Sequence, residues 1–146
     1  MRQKSSGSSR LKREKNLMVI HVCHNTQPGG EIHKHVKPLE TEKVISKNQA
    51  NSFKDTDLLA YLREHEIKRL VICGMMTHMC MEAATRAAHD LDFECIVVQD
   101  AYATRSLKFQ DREIPAQAVH CSTLASLSGY YARVVDGETF LKELED

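Results

Sequence analysis

The sequence has no apolar run long enough to cross a bilayer and no basic-then-apolar leader of the secretory kind. Together these absences predict a cytoplasmic chain with no membrane partner. It also lacks a disulfide framework: its 5 cysteines are odd in number and follow no framework spacing, so reduced thiols are expected. Net charge is missing as well, since 20 Lys and Arg balance 20 Asp and Glu. That balance is uneven along the chain. Residues 1–16 carry Arg2, Lys4, Arg10, Lys12, Arg13 and Lys15 against Glu14 alone, which leaves the remainder net negative. An acidic body argues against nucleic acid as a partner and leaves small neutral or anionic molecules as the expected ligands. At 146 residues one domain is expected. Residues 1–16, polar, Ser-rich and without apolar periodicity, are expected to be a disordered basic tail, and 17–146 the folded domain. The Arg- and Ser-rich start shares features with an organelle transit peptide, but Glu14 interrupts it.

What the chain does have is concentrated between Arg69 and Asp100. Leu70, Val71, Ile72 and Cys73 form a short apolar run stopped by Gly74, the pattern of a strand buried on both faces. From Thr77 the spacing turns helical, with Met81, Ala84, Ala88 and Leu91 on one stripe and Glu82, Arg86, His89 and Asp90 off it. A second buried run follows at Cys95, Ile96, Val97 and Val98. Two buried strands joined by one helix make a right-handed βαβ unit, which predicts an α/β fold with a mainly parallel sheet.

In such sheets ligands bind beyond the carboxyl ends of the strands, where the turn from Gly74 to Met79 falls. Cys80 follows that turn. A cysteine is most often one more small buried hydrophobe, and only its place at a strand–turn–helix junction singles this one out. There, unpaired N–H groups and the positive end of the helix dipole favour thiolate over thiol and could hold an oxyanion.

Elsewhere the chain reads more plainly. Leu17 to Cys23 is a strand candidate, followed by a loop to Pro38. His21, His24, His33 and His35 could be taken for metal ligands, but a solvated histidine-containing loop is the simpler reading, and no metal or other cofactor is expected. Val44 to Lys47 is a short apolar segment ending in a lysine, and a helix capped at Asp55 or Thr56 should turn Leu58, Leu59 and Leu62 inward. Tyr102 to Gln110 reads as a loop, Pro115 to Ser128 as a helix, Ala132 to Val135 as a last strand and Phe140 to Leu144 as a short helix.

Gly74-Met75-Met76-Thr77-His78-Met79-Cys80, then Thr85-Arg86-Ala87-Ala88, then Asp100-Ala101 with Ala103-Thr104, resemble the isochorismatase-like cysteine hydrolases, among them nicotinamidases and carbamoyl-amide hydrolases. The likeness extends upstream through Val44 to Lys47, Asn51 to Phe53 and Thr56 to Leu58, and downstream to Phe140. It implies a three-layer α/β/α Rossmann-like domain, with Cys80 as nucleophile and Lys47 beside it. It also implies an oxyanion hole from the N–H groups of Met76 and Cys80, and a cis peptide between Met75 and Met76. The Asp-x-His pattern of the metal-binding nicotinamidases is missing. So is the family's third catalytic residue, an aspartate ending the first strand. Ahead of Lys47 the acids are Glu14, Glu31, Glu40 and Glu42, and none ends an apolar run. In that register the family's opening strand has no counterpart, and the sheet is one strand short. An alternative alignment sets Leu17 to Asn25 on the first strand and puts His21 where the aspartate belongs.

The resemblance implies hydrolysis of an amide or ureido C–N bond of a small molecule through a thioester at Cys80. The other expectation is a catalytically silent relative that keeps the fold and assembles with itself. A homo-oligomer is expected in either case. A third is a redox-reactive thiol at Cys80.

Overall fold

The computed structural model describes residues 17–26 and 28–145. The expectation of a disordered tail over 1–16 lies outside the described residues. The order of elements is β1 (Ile20–His24), a 3-10 turn (Lys34–Val36), β2 (Lys43–Lys47), α1 (Leu58–Glu64), β3 (Arg69–Met75), a π-helical turn (Thr77–Met81), α2 (Glu82–Asp90), β4 (Glu94–Ala103), β5 (Leu107–Phe109), β6 (Arg112–Ile114), α3 (Ala116–Leu127), β7 (Arg133–Val135) and α4 (Gly137–Glu143).

The central βαβ unit is present as its sequence demands. Leu70, Val71 and Ile72 of β3 pair in parallel with Cys95, Ile96 and Val97 of β4, and β7 joins the other edge of β4, also parallel. Alternation along β4 explains why both faces read as apolar. Cys95 and Val97 enter a cluster with Met81, Ala88, Leu124 and Ala132 beneath α2 and α3, while Ile96 and Val98 meet Phe140 of α4 on the opposite face. Helices therefore cover this sheet on both sides, giving three layers. The buried face of α2 is Ala84, Thr85 and Ala88, continuing from Met81, so small residues let the helix lie close to the strands.

β1 and β2 form a separate parallel ladder. Among the described residues no ladder joins β1 to β3. The two ladders are held together by side chains: Ile20 and Val22 of β1, Ile45 of β2 and Leu58 and Leu62 of α1 share the cluster that contains Leu70, Ile72, Cys95 and Val97.

Three local expectations are corrected. The stretch from Tyr102 to Gln110 is not a loop: β4 runs on to Ala103, and Leu107–Phe109 pairs with Arg112–Ile114 as an antiparallel hairpin. Its turn is tight because Gln110 takes a positive φ of 53°, which no glycine signals in the sequence. The first residues of the expected helix at Thr77 close a wider, π-helical turn instead of an α-helical one. The cap of α1 is Asp57 rather than Asp55 or Thr56, although the Thr56 hydroxyl lies 3.4 Å from the Leu58 N–H and accepts its hydrogen bond.

Candidate active site

The turn that carries Cys80 begins in β3. Gly74 has φ of 141°, open to glycine and rarely to other residues, and a Cβ there would come within 3.2 Å of the Met81 sulfur. Its neighbour peptide, between Met75 and Met76, is cis. The chain then closes the π-helical turn, with the N–H groups of Met79 and Met81 both donating to the Met76 carbonyl at 3.0 and 3.3 Å. Single π turns recur at functional sites because they displace one residue out of the ordinary helical register. Cys80 is half-buried on this turn, and Met75 and Met79 beside it are exposed.

The turn is tied from two sides. Thr77, fully buried, reaches the Ala103 carbonyl at 3.2 Å and His120 Nδ1 on α3 at 3.0 Å. His78 Nδ1 meets the Thr104 hydroxyl at 2.7 Å. The end of β4 and the second turn of α3 thus fix the segment that carries Cys80. Nothing in the local sequence marks His120 or Thr104 for this, because each partner lies 26 or 43 residues away.

Lys47 ends β2 and is only 4% exposed. Its ammonium donates to the Ala50 carbonyl at 2.6 Å and has no carboxylate partner among the described residues. An ammonium withdrawn from water is costly unless paired, so this one is underused by the fold. His24 ends β1 and is the register partner of Lys47, on the same face of the ladder. Its Nδ1 is buried and, among the described residues, the one buried side-chain nitrogen or oxygen with no hydrogen-bond partner. The strand-end position beside Lys47 is the sequence signal that could have singled it out.

His21 does not join this edge. It pairs with Val44, three residues below the Lys47 end, and its Nε2 lies 2.9 Å from Glu42 at the amino end of β2. Glu31 accepts the Gly29 N–H. His33 and His35 are exposed loop residues stacked edge to face. No group of three or more His, Cys, Asp or Glu suited to a metal is found among the described residues. Asp100 accepts the Gly137 N–H at 2.7 Å and so anchors α4, and Thr85 bonds back to the Met81 carbonyl within α2. A concavity of about 430 Å³ lined by His89, Phe93, Glu94, Tyr130 and Tyr131 lies at the opposite, amino end of β4 and β7. No helix among the described residues is long and apolar enough to cross a membrane.

Comparison with known proteins identifies the family and the fold. The isochorismatase domain model matches residues 8–127. The isochorismatase family protein YddQ of Bacillus subtilis is 47% identical over 124 residues, 85% of this chain and 69% of the relative. Streptothricin hydrolase of Streptomyces noursei is 36% identical over 101 residues, 63% of this chain and 37% of the relative. The crystal structure of an isochorismatase-type hydrolase from Oleispira antarctica superposes with a TM-score of 0.86 at 39% identity, covering 96% of this chain and 82% of that one. The chain belongs to the isochorismatase family of hydrolases.

Proposed function

We propose that the protein is a cysteine hydrolase that cleaves an amide or ureido C–N bond of a small molecule, with Cys80 as nucleophile and Lys47 as its electrostatic support. The observation that carries this reading is Lys47: a buried ammonium at a strand end with one carbonyl acceptor and no counter-ion among the described residues. A charge left in that condition contributes little to stability but suits a site where negative charge develops. The strand–turn–helix setting of Cys80, its tethered π turn and the family membership support the same reading.

In this mechanism the Cys80 thiolate adds to the carbonyl carbon, and the C=O electron pair moves onto oxygen, held by the N–H groups of Met76 and Cys80. As the carbonyl reforms, the C–N bond breaks and the departing nitrogen takes up the proton that the thiol gave up. Water then attacks the thioester, releasing the acid and returning a proton to sulfur. Streptothricin hydrolase, a relative named for its substrate, supports hydrolysis of a small molecule.

The test is turnover of a panel of primary amides and ureides, read as ammonia release, with intact-mass detection of a Cys80 adduct in acid-quenched reactions. Activity that vanishes in Cys80→Ala and falls in Lys47→Met supports the assignment. Absence of turnover and of adduct across the panel, with Cys80 reacting as an ordinary thiol, overturns it in favour of a silent, self-assembling relative.

A further inference from the structure

Thr77 has one hydroxyl proton and two neighbours placed to bond it. The Ala103 carbonyl, 3.2 Å away, can only accept. His120 Nδ1, 3.0 Å away, can accept or donate depending on its tautomer. Both contacts are hydrogen bonds only if Thr77 gives its proton to Ala103 and Nδ1–H of His120 donates to the Thr77 oxygen. If Nδ1 were bare, one of the two acceptors would be left without a donor beside a fully buried residue. Thr77 is the first residue of the π turn, immediately after Met76, and three residues before Cys80. His120 sits on α3, which packs on that turn, and is itself half-buried.

We infer that His120 is a positioning residue for the nucleophile: with hydrogen on Nδ1 it donates to Thr77, and this chain from α3 through Thr77 to the end of β4 sets the placement of Cys80 and of the N–H groups around it. The Ala103 contact ties Thr77 to β4 alone, and it is the His120 contact that ties the same hydroxyl to α3. Two contacts from different elements define its rotamer and the turn it starts. His78, held by Thr104, ties the following residue to the β4 exit, whereas His120 adds a hydrogen bond from α3 to the packing of that helix on the turn. This inference rests on Cys80 being the nucleophile.

Two measurements on the whole protein test it. Long-range proton–nitrogen correlation of the His120 ring in the parent reports which nitrogen carries hydrogen, and the geometry requires it on Nδ1; an Nε2–H tautomer with bare Nδ1 overturns the inference. The second measurement is the rate of Cys80 modification by iodoacetamide at one fixed pH, resolved from Cys23 and Cys121 by peptide mass and from Cys73, which shares its tryptic peptide, by fragment-ion mass. Cys95, whose thiol is pushed up to about 11 by burial, is the slow internal control for folding. His120→Leu should slow Cys80 by about 3- to 10-fold, the factor set by one lost hydrogen bond, with Cys95 still protected. His120→Asn, whose amide N–H occupies roughly the place of Nδ1–H, should recover most of that loss, and Thr77→Val should match His120→Leu. A parent Cys80 no faster than a free cysteine overturns the nucleophile reading and this inference with it. A fast parent Cys80 left unchanged by His120→Leu, or an equal loss in the Asn and Leu variants, overturns this inference alone.

Discussion

Lys47→Met should make the protein more stable and less reactive at once. In the parent the ammonium is 4% exposed and has the Ala50 carbonyl as its partner. Removing an ion from water carries an effective penalty of several kcal/mol, and one bond from a charged donor returns only about 1.5–3 kcal/mol of it. Methionine matches the length of the stem and carries no charge. Its own cost is the lost donor for the Ala50 oxygen, taken at the low end of about 1–3 kcal/mol because Ala50 is only half-buried. The balance favours the variant by about 1–2 kcal/mol, a rise in Tm of about 3–6 °C for a chain of this size. Urea and thermal unfolding followed by circular dichroism would measure it, with Cys80 alkylation at neutral pH recorded on the same samples and expected to fall several-fold. A loss of stability of more than about 1 kcal/mol would refute the reasoning, because it would mean that the ammonium is a structural ion whose partners the fold depends on.

Gly74→Ala should destabilise by about 1–3 kcal/mol in urea titrations, from the positive φ imposed on a side chain, and should also disturb Cys80 reactivity because the new methyl group meets the Met81 sulfur in the π turn; an unchanged midpoint would show the strand end to be free to relax. Asp136 caps α4 by accepting the Thr139 N–H, first among the contacts that hold its carboxyl below the ordinary range. Its contribution is therefore fully present above the ordinary carboxyl pKa and is lost as pH falls through the lowered folded value. The difference in urea midpoint between parent and Asp136→Ala should be largest near neutrality and shrink on acidification, and a difference that grows toward acid would contradict the cap.

The parts of the fold that could be read from sequence are those in which burial leaves a periodic trace. β3 and β4 are apolar on both faces because helices cover both, so Leu70–Ile72 and Cys95–Val98 read as runs, and the small residues of α2 mark its packed face. The hairpin Leu107–Ile114 left no such trace. Phe109 and Ile114 face outward, its other residues are mostly charged or polar, and its turn uses Gln110 where a glycine would have announced it. At the site, Cys80 was legible from its place after a strand and turn, and Lys47 from family likeness. The contacts of His120 and Thr104 with the turn were not, because they depend on distances that only the folded backbone creates, whereas His24 could have been singled out by its strand-end position beside Lys47. The π turn was hidden for a different reason: it differs from an α-helical start in which carbonyl two N–H groups share, not in its apolar spacing.

The two halves of the proposed chemistry stand on different ladders, Lys47 on β1–β2 and Cys80 beyond β3. Backbone hydrogen bonds hold distances rigidly, whereas packed side chains yield by rotamer and by small slips. The alignment of charge with nucleophile is thus delegated to the shared apolar cluster of Ile20, Val22, Ile45, Leu62, Leu70 and Ile72. Among the described residues the packing of that one cluster, rather than a ladder of hydrogen bonds, therefore sets how the two ladders meet. Conservative exchanges within it, remote from any reacting atom, would retune the offset between the two ladders and with it the spacing of charge and nucleophile.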